Sequence, residues 1–256
     1  MRGTFGVWIA AALLTASCAA QSNEEWRKEN QELRKEVDAL KEGQKAILKD
    51  LDAIKNFLAG RREPEPFKGA TLSLKGSPYM GSKDAPITMV EYSDYQCGFC
   101  ARYFKNTLPQ IVSDYVKAGK VKYVLRNFPL ESIHPAALKA AAAALCAGEQ
   151  GKYWEMHARL FANPATIGVE HLPEHGKAIQ LDAAKFTVCL DSEKYVPMIR
   201  AEMAEAQKIG VQGTPTYFLG RTSKEGDRLE ATATLVGAQP FPVFKETLDK
   251  LLATAP

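Results

Sequence analysis

Two thiols three residues apart, Cys97-Gly98-Phe99-Cys100, follow an apolar, β-branched run, Ile87-Thr88-Met89-Val90-Glu91-Tyr92. A strand that leads into C-x-x-C and then a helical pattern is the sequence form of a thioredoxin-type redox site. The spacing has a physical basis. Residues three apart in the first turn of a helix bring their Cα atoms to about 5 Å, within disulfide range. Cys97 then stands at the helix N-terminus, where unpaired N–H groups and the helix dipole favour a thiolate. Cys100, one turn on, is placed to resolve a mixed disulfide by attacking Cys97. The competing chemistry for C-x-x-C is half of a zinc site, which needs four ligands. The chain has no second C-x-x-C, and His134, His157, His171 and His175 are scattered. The i, i+4 pair His171 and His175 is interrupted by Pro173 and has no H-E-x-x-H around it. We expect a redox pair, with no metal and no cofactor.

The elements that position this pair follow from pattern. A short strand is expected at 71–75 and a Gly/Ser/Pro-rich loop at 76–86. Residues 87–92 read as a strand, 98–117 as a helix kinked at Pro109, and 121–126 as a second strand, which gives a parallel β-α-β unit. Helical segments then cover 135–147, 150–161, 172–180, 183–190 and 195–209. They interrupt the α/β alternation as a helical insertion over about residues 131–195. Gly213-Thr214-Pro215-Thr216-Tyr217-Phe218-Leu219 leads into a strand, 228–236 is its hairpin partner, and 241–252 is the last helix. This order specifies an α/β, thioredoxin-like fold with a helical insertion. His134 at a helix start, and Trp154, Met156 and Phe161 at helical spacing, read as packing residues.

Two segments precede this domain. Arg2 is followed by an uncharged apolar stretch from Phe5 to about Thr15, then by small residues. Residues 1–17 read as a signal peptide, too short to span a bilayer as a helix. Their end, Leu14-Thr15-Ala16-Ser17-Cys18, resembles a bacterial lipobox, with Cys18 as the lipid-bearing residue. The alternative is ordinary cleavage near Ala20. Either route exports the mature chain to an oxidising periplasm or cell envelope. The five cysteines then divide into Cys18, the pair Cys97 and Cys100, and the pair Cys146 and Cys189. The last two are expected to form a structural disulfide, which the exported compartment permits, the alternative being two buried thiols acting as small hydrophobes.

Residues 23–59 form a stalk. Trp26, Leu33, Leu40, Ile47 and Ile54 take heptad positions d; Asn30, Val37, Gln44, Leu51 and Leu58 take positions a. Glu29, Glu36 and Asp50 at g meet Arg34, Lys41 and Lys55 at e with opposite sign only if the helices run parallel. We expect a parallel coiled coil and a homo-oligomer, with dimer and trimer both open. Residues 60–70, which include Pro64 and Pro66, are a linker, and 71–256 the globular domain. Composition is ordinary for a globular protein, with 46% hydrophobic and 25% charged residues. A net charge of +3, with signs interspersed, gives no reason to expect a nucleic-acid partner.

From about Gly81 onward the chain resembles the DsbA-like thiol-disulfide oxidoreductases. The resemblance rests on Glu91-Tyr92-Ser93-Asp94-Tyr95-Gln96-Cys97-Gly98-Phe99-Cys100, Phe128-Pro129, His134-Pro135, Cys146-Ala147, Gln150-Gly151 and Gly213-Thr214-Pro215. With its lipobox and stalk, the chain is similar to oligomeric members in which isomerase or reductase activity accompanies an N-terminal oligomerisation element. The resemblance implies a cis Pro215 facing the cysteines and offering main-chain hydrogen bonds to an extended substrate. It implies that Thr214 influences Cys97 and substrate release, and that Glu91 relays the Cys100 proton. It also implies cysteine-containing envelope proteins as substrates and a membrane redox partner. Gly98-Phe99 departs from the Pro-His of the most strongly oxidising member, and Phe99 offers a thiolate neither charge nor hydrogen bond. Isomerase or reductase work is therefore expected ahead of oxidase work. The alternative outside enzymes is an anchored tether whose domain binds partners without turnover.

Overall fold

The structure is a computed structural model that describes the backbone of residues 5–59 and 67–254, and the side chains of 26–55 and 67–254. The side chain of Cys18, part of the signal segment 1–17 and linker residues 60–66 lie outside the described residues. The chain divides into two compact units, Met1–Pro66 and Phe67–Pro256.

Among its described residues the first unit is one helix, α1 (Phe5–Ala59). Its d-position side chains from Trp26 to Ile54, with Val37 and Leu51 at a, all stand exposed, forming a continuous apolar stripe. Asn30 turns its amide back onto the Trp26 carbonyl at 2.9 Å. Among the described residues, no helix is long and apolar enough to cross a membrane.

The second unit is built on a six-stranded sheet with order β1-β6-β5-β3-β4-β2. Its strands are β1 (Ala70–Ser73), β2 (Tyr79–Met80), β3 (Ile87–Ser93), β4 (Val121–Asn127), β5 (Thr216–Thr222) and β6 (Arg228–Val236). β3 and β4 are parallel, and β5 runs antiparallel to β3. Every residue of β3 and β4 is buried, because helices cover both faces of the sheet centre. On one face Met89, Tyr123 and Tyr217 pack with Tyr103 of α2 (Gly98–Asn106) and with Phe244 of the last helix. On the other, Val90, Tyr92, Val124 and Phe218 form a second apolar cluster with Ala206. The result is an α/β, thioredoxin-like fold with a helical insertion and an N-terminal helix.

Two expectations need correction. The loop expected at 76–86 contains β2, which pairs antiparallel with β4 (Tyr79↔Val124, Met80↔Tyr123). Two residues are too few to display an alternating pattern. The helix expected over 98–117 is broken at Thr107 into α2, α3 (Leu108–Ile111) and a π-turn, Val112–Val116. Pro109 lacks an N–H and its ring excludes the carbonyl four residues back, so the break falls ahead of the proline. Thr107 Oγ1 donates to the Gln239 carbonyl at 3.1 Å, tying the break to the loop before the last helix.

The insertion follows β4 as α4 (Ala137–Gly148), α5 (Tyr153–Ala162), α6 (Leu172–Ala178) and α7 (Ala183–Asp191). Two more helices, α8 (Val196–Lys208) and α9 (Phe241–Ala253), complete the fold. α4 is buried on nearly every side, since its alanines let its neighbours approach closely. Cys146 of α4 and Cys189 of α7 are joined by a disulfide, with Cα atoms 5.8 Å apart and 43 residues of sequence separation. In the chain-entropy model a loop of that length contributes about 4 kcal/mol. The Cys146→Ala/Cys189→Ala variant is expected to be less stable than the oxidised wild type by that order in urea unfolding without reductant, and to match the wild type when both are reduced. No loss would mean that the loop is constrained by packing alone.

Candidate active site

The site starts where β3 ends. Asp94 is buried in the loop before Cys97, and its carboxylate organises that loop. Oδ1 accepts from the Gln96 amide at 2.7 Å, and Oδ2 from the Leu130 amide and His134 Nδ1, each at 2.8 Å. Gln96 Oε1 accepts from the Ala136 amide at 2.9 Å. The chain entering Cys97 and Cys100 is thereby tied to the start of the helical insertion. The Cys97 amide donates to the Asp94 carbonyl at 3.1 Å, and the Ala101 amide to the Cys97 carbonyl at 3.1 Å.

Cys97 is the N-cap of α2, and no side chain caps the helix. The first-turn amides are left to the Cys97 sulfur, as expected for a thiolate position. Both Cys97 and Cys100 are free thiols and buried. Cys97 Sγ donates to the Thr214 carbonyl at 3.4 Å. The Thr214–Pro215 peptide bond is cis. Thr216 Oγ1 donates to the Gly213 carbonyl at 2.7 Å, closing this loop at the start of β5. Pairing of Tyr92 with Thr216 brings the end of β3 and the start of β5 side by side.

The two thiols differ sharply in proton affinity. Cys97 is drawn down to about 5, first by the Cys100 thiol donating to it, and further by the Thr214 side chain and the α2 amides, against an opposing effect of burial. Cys100 is pushed well above its ordinary value, by burial first and then by the hydrogen bond it gives Cys97 and the negative potential of Glu91. Glu91 is buried beneath the pair and accepts a hydrogen bond from the Tyr123 hydroxyl. Burial raises its carboxyl to about 7, with the Ser93 and Tyr123 hydroxyls pulling it partway back. A carboxyl that titrates near neutral pH, close to a thiol that holds its proton tightly, can accept that proton.

Aromatic packing seats the insertion against α2. Tyr95 lies 4.8 Å from Phe161 between ring centroids, and Phe104 stacks on Phe161 at 5.3 Å. His157 sits among these rings with Nδ1 3.1 Å from the Tyr95 hydroxyl, and burial lowers it to about 3, so it stays neutral. Phe99 between the cysteines is 58% exposed, with the Arg102 guanidinium 5.0 Å above its ring.

Cys97, Cys100, Thr214, Pro215 and Glu91 thus gather at one place, while Cys146 and Cys189 lie within the insertion. Sequence reasoning gave no role to Asp94, Gln96 or Tyr123. The Asp94–Gln96 turn carried a local signal, an Asp accepting from the amide two residues on. The contacts to Leu130, His134 and Ala136, and that of Tyr123 with Glu91, are long-range and left none. Among the described residues, no group of three or more His, Cys, Asp or Glu could hold a metal ion.

A family model described as Thioredoxin matches residues 73–235. The chain belongs to the thioredoxin family. Its fold is shared by Wolbachia pipientis alpha-DsbA1 at 25% identity and a TM-score of 0.62, over 71% of this chain and 94% of that one. It is shared by oxidised BdbD from Bacillus subtilis at 24% identity and a TM-score of 0.62, over 74% of this chain and all of that one (100%). A Na(+)/H(+) antiporter NhaA 3 of Salinispora tropica is 34% identical over 157 residues, 61% of this chain and 24% of that protein. The thioredoxin-family chain therefore spans about a quarter of the length of the curated relatives it matches.

The buried acid gives this thioredoxin-family site a pH signature. Glu91 holds its proton in the folded chain up to about pH 7, whereas its ordinary value is 4.5. Between those values the folded state binds the proton and the unfolded state does not, so stability falls as pH rises through this window. The shift corresponds to about 3 kcal/mol. In a Cys97→Ser/Cys100→Ser background, Glu91→Gln is expected to remove that fall, as measured by unfolding free energies at pH 4 and pH 8. An unchanged slope would show that Glu91 ionises freely.

Proposed function

We propose that the chain is a protein thiol-disulfide oxidoreductase of the bacterial cell envelope, acting on cysteine-containing envelope proteins. One observation carries this reading. A Cys97 thiol with a depressed pKa lies 3.4 Å from the Thr214 carbonyl, on the loop of a cis Pro215, with a proton-retaining Cys100 one turn behind.

The reaction follows from those positions. The Cys97 thiolate attacks one sulfur of a substrate disulfide, forming a mixed disulfide and releasing the other sulfur as a thiolate. In reduction, Cys100 passes its proton to Glu91 and attacks Cys97 Sγ. The second substrate thiolate leaves, and two electrons have moved from the Cys97–Cys100 pair to the substrate. In isomerisation, a different cysteine thiolate of the same substrate chain attacks the substrate sulfur of the mixed disulfide instead, forming a new substrate disulfide. Cys97 returns as a thiolate, with no net electron transfer. The edge of the Pro215 loop would hold the substrate chain extended across Cys97.

Isomerase or reductase work is the favoured direction, supported by the stalk. The apolar stripe of α1 is exposed along the described residues of a single chain, as a parallel dimer or trimer seam would be before assembly. Joined domains present several Cys97 thiols to one misfolded chain at high effective concentration. Lipid attachment at Cys18 would hold the stalk to a membrane, and a membrane redox partner would keep the pair reduced. Oxidase work is the second reading, favoured by the depressed Cys97 pKa, because a stabilised thiolate makes the disulfide form more oxidising.

Two measurements test this. The Cys100→Ala variant cannot resolve the mixed disulfide and is expected to accumulate reductant-sensitive adducts with envelope proteins. Absence of adducts, together with absence of insulin reduction by the wild type, would favour the tether. Deleting residues 23–60 is expected to give a monomer by light scattering, with weaker reshuffling of a scrambled substrate and stronger dithiol oxidation. If both activities stay at wild-type level, the stalk has no part in choosing direction.

A further inference from the structure

A groove runs from the Cys97 end of α2 between the α2–α3 segment and α5. Near Cys97 it is bordered by Gly98 and Arg102 on one side and by Ala162 and Pro164 on the other. Farther along the same helices a second cavity lies between Pro109 and Trp154. Phe104 and Lys105 border both cavities. The floor is apolar, with Phe104 stacked on buried Phe161.

The charges on this groove all have one sign. Among its lining residues the only formally charged side chains are Arg102 and Lys105. Both are exposed. Neither has an ion-pair partner among the described residues, and Arg102 rests on the Phe99 ring alone. Several basic groups of the neighbouring helices are paired, as Lys139 is with Glu193, Lys194 with Glu149 and Arg200 with Glu131. Two unpaired cations above an apolar floor, beginning at the reactive thiol, complement a peptide that carries both apolar and acidic side chains.

We propose that this groove selects cysteine-containing substrate segments with carboxylates about two and four residues from the reacting cysteine. The inference rests on the thiol-exchange reading above and names its substrate class. The spacing follows from geometry. Along α2, Arg102 lies five residues and Lys105 eight residues beyond Cys97, about 7.5 and 12 Å at 1.5 Å per residue. An extended chain covers those distances in about two and four residues at about 3.3 Å each. An apolar residue between the carboxylates would face the floor at Phe104.

The test uses the full mature chain and synthetic peptides, each holding one cysteine as a mixed disulfide with a chromogenic thiol. Near-acid peptides carry Glu two and four residues from the cysteine, on its N-terminal side in one and its C-terminal side in the other. A far-acid peptide carries the same two Glu about eight residues away, and a reference peptide carries Gln at the near positions. At low ionic strength one near-acid peptide is expected to exchange about fivefold to tenfold faster than the far-acid peptide, since each exposed pair contributes about twofold to fivefold. In Arg102→Gln/Lys105→Gln that near-to-far ratio is expected to fall to about one. Equal near and far rates in the wild type, or an unchanged ratio in the double variant, would overturn the proposal. Wild-type exchange with the Gln reference peptide reports separately on the thiol chemistry. Its absence would count against the underlying activity, whatever the selectivity.

Discussion

The antiparallel pairing of β3 with β5 is the constraint on which the site depends. Opposing Tyr92 to Thr216 sets Cys97, five residues past one partner, against Thr214, two residues before the other. The same register points Glu91 to the face where Tyr103, Tyr123 and Tyr217 pack. A one-residue slip would turn every side chain of β3 to the opposite face and carry Glu91 away from the cysteines. Burial of both strands on both faces makes such a slip costly, because it would exchange one packed apolar face for the other.

Asymmetry between the two thiols follows from that placement. Cys97 caps a helix whose first amides have no side-chain partner, while Cys100 sits one turn deeper, out of water. One sulfur is surrounded by donors, and the other by apolar groups and a carboxyl. The helix makes the pair close, and the sheet makes it unequal. Phe99, exposed between them, contributes surface and a seat for Arg102 rather than a charge of its own.

The insertion also steadies the site. Asp94 reaches from the end of β3 to Leu130 and His134, and Gln96 to Ala136, so the loop before Cys97 is held by the segment that leads into α4. α4 is in turn joined to α7 through Cys146 and Cys189. His134, read from sequence as a helix-start residue, does precede α4, and its ring also serves the loop before Cys97.

Much of this was legible in the chain. The dithiol and its helix, the strands other than β2 and the helical insertion followed from residue types and short spacings. Such signals are local: a period of two or 3.6, a proline, a thiol three residues from another. Tertiary structure alone decided the rest. It brought the Thr214 carbonyl to Cys97 from 117 residues away. It brought Cys146 and Cys189 within bonding distance, a pairing expected of an exported chain whose geometry the sequence could not show. It placed the Tyr123 hydroxyl on Glu91, and it broke the α2 segment at Thr107 rather than merely bending it at Pro109. The physical reason is one of range. Periodicity and capping act over one or two turns, whereas the proton affinities of Cys97, Cys100 and Glu91 depend on burial and on partners that only strand register and packing bring together.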